Sequence, residues 1–243
     1  MEQFTMEEVK SRLIELVGQE KVTSLNEAHV AVVGIGGVGG SCALTLARSF
    51  IGHITVIDGD IIEPSNINRQ ALAYLPYIGQ PKCKVAQEII AKINPEAKVC
   101  GKQVFITKDN FEEVFEDLKS CDYIIDCIDS ISQKVLLAEW AQRMQIPLIS
   151  SMGAARKFNP CCLQFADIYQ TSVCPVAKAV RKGCRKAGVK HLDVLYSTEE
   201  KTVDSTSPIL GTMSYLPPIM GEMLAGFVIC KLLGVSWQDG NKC

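Results

Sequence analysis

The sequence predicts an α/β protein: a Rossmann-like, mostly parallel sheet flanked by helices, with a smaller C-terminal α+β extension. Three observations predict it. A short apolar run, His29-Val30-Ala31-Val32-Val33, leads into Gly34-Ile35-Gly36-Gly37-Val38-Gly39, and an amphipathic stretch follows. Strand-like and helix-like segments then alternate up to about residue 150. An acid, Asp58, closes the second apolar run, roughly the 20 residues beyond the glycine turn at which dinucleotide folds place one.

Each element follows in order. Over residues 7–26, Val9, Leu13, Leu16 and Val17 recur at helical spacing, so an N-terminal helix is expected. After the strand at 29–33, a helix is expected over 38–50, with Cys42, Ala43, Leu46 and Ala47 facing inward. The second strand is 53–57, and the Asn-rich stretch 59–80 reads as a loop. A helix over 82–93 is stopped by Asn94-Pro95. Then come a strand at 99–105, a helix at 110–119, a buried strand at 122–127, a helix at 132–144 and a fifth strand at 147–150. Such alternation implies parallel pairing with right-handed crossovers. After residue 155 the pattern weakens to an apolar run at 163–168, a basic helix near 176–187, a strand near 192–196 and an apolar helix near the end. No repeat or linker interrupts the chain, so 1–243 reads as one domain.

Composition narrows the class. The 243 residues are 47% apolar and 21% charged, enough for one sizeable core. A net charge of −2 supplies no global attraction for nucleic acid, so any such contact needs a local basic face. The N-terminus has no cationic start followed by an apolar run, and no secretory signal is read there. The apolar stretch 219–235 follows Pro217-Pro218 and contains Glu222 and Lys231, so a buried helix is expected rather than a membrane span. Eleven irregularly spaced cysteines without an export signal predict reduced thiols and a cytoplasmic protein. No C-x-x-C pair occurs, which argues against structural zinc.

The glycine motif sits between a strand and a helix, where Gly34, Gly36, Gly37 and Gly39 let the backbone approach phosphates at a positive helix end. Asp58 is placed to accept hydrogen bonds from ribose hydroxyls. Those features alone define an adenosine site and would suit a nicotinamide enzyme equally. The next block discriminates. Asn66, Asn68, Arg69 and Gln70 follow closely, and Lys82 opens the next helix. A triphosphate and a departing pyrophosphate need cationic side chains more than a dinucleotide does. Solvated loop cations are the plainer reading of Arg69 and Lys82 taken singly. Asp129, in Asp126-Cys127-Ile128-Asp129-Ser130, lies beyond a strand's carboxyl end, where one carboxylate could hold Mg²⁺ beside phosphates. It could equally cap the following helix. Lys178, Arg181, Lys182, Arg185 and Lys186 form one stripe at helical spacing, either a phosphate-backbone contact or a solvated face. Among the thiols, Cys174 precedes this stripe, and nearby cations could raise its thiolate fraction. Cys127, Cys161 and Cys162 read as packing residues, and no cysteine enters the catalytic set.

Taken in this order, Gly34 to Gly40, Asp58-Gly59-Asp60, Asn66 to Gln70, Gly79 to Lys82 and Asp126 to Ser130 resemble the ubiquitin-activating-type (ThiF/MoeB/HesA-like) superfamily. Members serving sulfur carriers usually carry paired C-x-x-C motifs, absent here. The later series Gly153-Ala154-Ala155-Arg156, Asp167 to Ser172, Pro175 to Lys178, Arg185 to Gly188 and Tyr196 to Glu200 is similar instead to the tRNA threonylcarbamoyladenosine dehydratases, from about residue 8 to 234. The resemblance implies ATP-dependent activation of the threonylcarbamoyl carboxylate on a tRNA adenosine, giving AMP and pyrophosphate, then cyclisation with net loss of water. It implies that the glycine loop, Asp58, Asp60, Asn66, Asn68 and Gln70 bind the nucleotide, that Arg69 and Lys82 bind its phosphates, and that Asp129 holds Mg²⁺. It further implies a homodimer in which Arg12 reaches the partner's ATP, and a bound monovalent cation (Na⁺ or K⁺) whose ligands the sequence does not name. A helical arm (1–28), an ATP-binding part (29–155) and a substrate-side and dimer part (156–243) would divide the work. A cysteine desulfurase or sulfur-acceptor system stands as a further candidate partner; DNA does not. The alternatives are adenylation of a sulfur-carrier or ubiquitin-like protein's C-terminal carboxylate, an ATP-sensing scaffold, and a redox enzyme.

Overall fold

The computed structural model describes residues 4–200 and 210–236. The outer ends of the N-terminal arm and of the C-terminal part, and residues 201–209, lie outside the described residues. The N-terminal helical stretch is two helices, α1 (Met6–Val17) and α2 (Gln19–Glu27). They break at Gly18, whose φ of 85° suits a residue without Cβ. A capping box between Thr5 and Glu8 starts α1, yet no residue of α1 is buried and Leu16 is 80% exposed. The face shared by Val9, Leu13, Leu16 and Val17 therefore has little of its own chain to cover it. Half-buried Leu13 touches the core, and Lys10 pairs with Glu96 at 2.5 Å.

Next come β1 (His29–Val33), α3 (Gly37–Arg48), β2 (His53–Ile57), α4 (Lys82–Ile93), β3 (Lys98–Lys102), α5 (Phe111–Glu116), β4 (Tyr123–Asp126), α6 (Ile131–Met144) and β5 (Leu148–Ser151). The C-terminal part adds β6 (Leu163–Asp167), α7 (Pro175–Ala187), β7 (Asp193–Ser197) and α8 (Leu216–Leu232). The third strand stops at Lys102, short of the expected 105, because residues 103–106 turn out of the sheet; the helix expected at 110–119 ends in a 3-10 turn, Asp117–Ser120.

The strands form one sheet of seven in the order β3-β2-β1-β4-β5-β7-β6. All pairs are parallel except β6 with β7. The C-terminal α+β part is thus not a separate layer but the continuation of the same sheet, closed by an antiparallel edge. Successive residues of β1 feed opposite cores, as a strand's period of two requires. Val30 and Val32 pack with Leu46, Ile90 and Leu224 from α3, α4 and α8, whereas Ala31 and Val33 pack with Phe115, Leu137 and Trp140 from α5 and α6. A third cluster joins α7 to β7 through Ala177, Val180, Cys184 and Val194. Both faces of the sheet are therefore covered, and the strand order reverses between β1 and β4. That switch point is where an open α/β sheet leaves a crevice at its carboxyl ends.

Candidate nucleotide site and acceptor wall

The crevice is a cavity of about 770 Å³, within the range of a ligand pocket. Its floor is the turn after β1. Gly34 has φ +84° and donates its N–H to Ile57 O at 2.7 Å. A Cβ on Gly34 would fall 2.8 Å from Cys127 O, and one on Gly39 only 1.8 Å from Gly34 O. The turn can close this tightly only with glycine at both places. Gly34, Gly36 and Gly37 line the cavity; Gly39 acts from behind by letting α3 meet the turn.

Asp58, at the end of β2, holds the turn in place. Its Oδ2 accepts from Ile35 N and its Oδ1 from Asp60 N, both at 2.8 Å. Burial raises its carboxyl above the ordinary aspartate value, a rise that nearby Lys82 and these two amides only partly offset. Lys82 is the first residue of α4 and is only 5% exposed. It donates to Asp60 Oδ2 at 2.8 Å and lies 3.9 Å from Asp58 Oδ1. It is a buried, oriented cation, not a solvated loop charge. Arg69 is held by Ser65 O at 2.8 Å and Asn68 Oδ1 at 3.0 Å, and it too lines the cavity. Asn66 caps its own short turn by accepting from Glu63 N. It lines the cavity with Gln70, while Asn68 stands outside the lining and reaches Thr212 O at 3.1 Å.

Asp129 is exposed at the cavity. The N-cap residue of α6 is Ser130, which leaves Asp129 free of the capping role. No group of three His, Cys, Asp or Glu that could hold a metal occurs among the described residues. The Asp129 carboxylate suits Mg²⁺, which takes one or two protein carboxylates and completes its shell with phosphates and water.

Several lining residues escaped the sequence reading. Lys134 lies beneath the cavity, almost wholly buried, 3.1 Å from Asp126 Oδ2. Ser150 donates to the same oxygen at 2.5 Å, and Asp126 Oδ1 accepts from Ile128 N at 2.9 Å. This network stiffens the β4–α6 turn that carries Asp129. A signal was present: Lys134 shares a helix face with Leu137, Ala138 and Ala141, a cation on an apolar stripe. Val104, Phe105 and Ile106 supply an apolar rim, and a second wall is built from 151–157, 173–176, Leu210, Thr212 and Pro217, which takes in Gly153 to Arg156 and Cys174 to Val176 already singled out in the sequence.

Other expected residues lie elsewhere. Arg12 is exposed on α1 and does not line the cavity of its own chain. On α7, Lys178, Lys182, Arg185 and Lys186 are exposed, with Arg185 5.6 Å from the Tyr169 ring. Arg181 departs from the stripe: it turns inward to Thr171 O at 2.8 Å and Thr171 Oγ1 at 2.5 Å, because the loop leading into α7 needs a donor for its carbonyls. Cys174, Pro175 and Val176 place the start of α7 at the cavity. Cys174 is buried, whereas Cys161 is exposed and is not the packing residue expected. Burial pushes the Cys127 thiol well above its ordinary value. All ten described cysteines are free, and no described helix is long and apolar enough to cross a membrane.

The glycine turn, the acid that closes β2, the buried cation and the switch-point crevice are together those of a nucleotide-binding α/β fold. Residues 10–242 match the ThiF family, and the chain belongs to it. It is 36% identical over 234 residues to the tRNA threonylcarbamoyladenosine dehydratase of Bacillus subtilis, covering 89% of this chain and 91% of that one. The crystal structure of the Escherichia coli tRNA N6-threonylcarbamoyladenosine dehydratase in complex with ATP superposes with a TM-score of 0.85 at 30% identity, covering 98% of this chain and 97% of that one. The same Escherichia coli enzyme in complex with AMP gives 0.86 at 31% identity, covering 94% and 95%.

Proposed function

We propose that this protein catalyses the ATP-dependent dehydration of threonylcarbamoyladenosine in tRNA. One observation carries the reading: the cavity that holds the glycine turn, Lys82 and Arg69 continues without interruption to the acceptor wall of 151–157 and 173–176. A triphosphate and a second, carboxylate-bearing group can therefore meet in one continuous cavity. A carboxylate oxygen attacks the α-phosphorus and pyrophosphate leaves. The acyl carbon is then attacked from within the same modification, and AMP leaves with the carboxylate oxygen, which accounts for the water lost.

Within that scheme the glycine turn and Asp58 hold the nucleoside and α-phosphate, with Asp60, Asn66, Asn68 and Gln70 shaping the turn around them. Lys82 and Arg69 stabilise charge on the departing pyrophosphate. Asp129 would hold Mg²⁺, which when bound neutralises phosphate charge. The family likeness also brings a monovalent cation (Na⁺ or K⁺), to which no residues are assigned. The exposed cations of α7, running from the cavity outward, are assigned to the tRNA backbone. The protein is placed in the cytoplasm, where charged nucleotides and tRNA coexist.

The uncovered α1 supports a homodimer in which Arg12 completes the partner's site. The test uses two variants. Arg12→Ala and Lys82→Ala are each expected to be inactive alone. After mixing and exchange of protomers, activity returns to about a quarter of wild type, since half the dimers are mixed and each has one intact site. No recovery from a confirmed mixed dimer would sink the shared site. For the reaction itself, incubation with ATP, Mg²⁺ and threonylcarbamoylated tRNA should yield a digested nucleoside lighter by one water. An unchanged nucleoside mass, with pyrophosphate released only when a sulfur-carrier protein is added, would overturn the proposal.

A further inference from the structure

The acceptor wall contains a buried cation with spare hydrogen-bonding capacity. Lys157 is 8% exposed and lines the cavity. Its Nζ donates to the backbone carbonyl oxygen of Glu199. The Glu199 carboxylate is engaged elsewhere: Phe158 N donates to it at 3.0 Å and Asn159 N at 2.8 Å. Among the described residues no carboxylate pairs with Lys157. An ammonium has three donors, and a single neutral acceptor leaves two of them unused. A cation removed from water without a counter-ion is costly, so the fold retains it at the expense of stability. The clamp of Glu199 on Phe158 N and Asn159 N fixes the backbone next to it.

We propose that Lys157 is the anion-binding residue of the acceptor wall and receives the carboxylate that is to be activated. This inference rests on the function proposed above. A carboxylate entering a site already occupied by a triphosphate meets like charge. Lys82 and Arg69 are committed to the phosphate side, so the approach needs a cation on the other side. Burial favours a carboxylate borne on a base over a phosphodiester, because a base can enter a pocket while the tRNA backbone remains at its mouth. Two free N–H donors, held in place by the Glu199 carbonyl, would steer one carboxylate oxygen and leave the other to attack.

The test compares wild type, Lys157→Met and Lys157→Arg. Met keeps the volume and removes the charge; Arg keeps the charge and changes its shape. Thermal melting and binding of a non-hydrolysable ATP analogue report folding, and both variants should bind the analogue within about twofold of wild type. With threonylcarbamoylated tRNA, kcat/KM should fall about 30-fold or more in Lys157→Met and less in Lys157→Arg. A second arm uses the free threonylcarbamoyladenosine nucleoside and its methyl ester as probes, with the ATP analogue bound. Wild type should prefer the free acid by about tenfold, and Lys157→Met should lose that preference. Wild-type kcat/KM in Lys157→Met, or an intact acid preference, overturns the inference. So does a loss confined to tRNA binding with a reduced salt dependence, which would assign Lys157 to the RNA backbone. The two proposals fail separately. A wild type that does not dehydrate tRNA, yet loses its acid preference on Lys157→Met, overturns the function and keeps the anion site.

Discussion

The two walls of the cavity are built differently. The phosphate wall comes from residues 34–82, close in sequence, and its charged groups are already held: Asp58 by two amides, Lys82 by Asp60, Arg69 by Ser65 and Asn68. The acceptor wall is assembled from 151–157, 173–176, Leu210, Thr212 and Pro217, stretches far apart in sequence that meet in the folded chain. Two of its residues are strained. Arg156 has φ +59° and Val173 φ +55°, a left-handed conformation that a β-branched side chain rarely adopts. Val173 and Leu210 also expose apolar surface there. A preorganised phosphate wall is general chemistry, usable with many acceptors. On the function proposed, the acceptor wall, with its positive-φ residues and Lys157, is where selection of one substrate would reside.

Substitutions can break this contrast. The largest effect is expected at Lys82→Ala, which should lower turnover about 10²–10³-fold. The fold should survive, as read by circular dichroism, and full activity would remove Lys82 from the phosphate assignment. Next come the cations of α7. Replacing Lys178, Lys182 and Lys186 together should weaken tRNA binding and flatten its salt dependence, by about one unit of slope for each phosphate no longer neutralised. Arg181→Ala should leave that slope alone and instead cost about 1–3 kcal/mol of stability, since it strips the donor from the Thr171 carbonyl. Equal slopes in the two variants would show that Arg181 also meets RNA.

Smaller effects sharpen the comparison. Val173→Asn places a residue tolerant of positive φ at the strained position and should raise stability by about 1 kcal/mol, measured by denaturant unfolding. A loss of stability would mean that Val173 contributes packing worth more than its strain. The smallest effect is a pH slope. Burial raises the carboxyl of Asp58 in the folded state. Its contribution to stability is therefore present below the ordinary aspartate value and is lost as pH rises through the raised value. Asp58→Asn removes that loss, so melting temperature relative to wild type should climb across this window while ATP binding weakens. A relative melting temperature that falls with rising pH would reverse the sign assigned to Asp58.

Much of this was legible in the amino-acid order. The strands at 29–33 and 53–57 and the helix at 82–93 lie where apolar period and stop signals placed them, because both are short-range properties. The N-terminal helical stretch lies where its spacing placed it, but the spacing does not say what its apolar face meets. Periodicity reports an apolar face but not what covers it, and α1 has no buried residue in its own chain. Periodicity also put Arg181 on the basic stripe, although its guanidinium turns back to Thr171, ten residues earlier.

By itself, then, the sequence determined which residues meet on one side of the cavity: the turn from Gly34 to Gly39, Asp58, Arg69 and Lys82. A glycine turn between a strand and a helix is a local object, and its cations follow within a few dozen residues. Only the tertiary structure decided that Asp129 is free instead of capping α6, that Lys134 is locked to Asp126 and Ser150, and that Lys157 is buried with donors to spare. Those facts concern desolvation and choice of partner. Both depend on groups that the sheet brings together from distant parts of the chain, such as Lys157 and Glu199, and no local pattern encodes them.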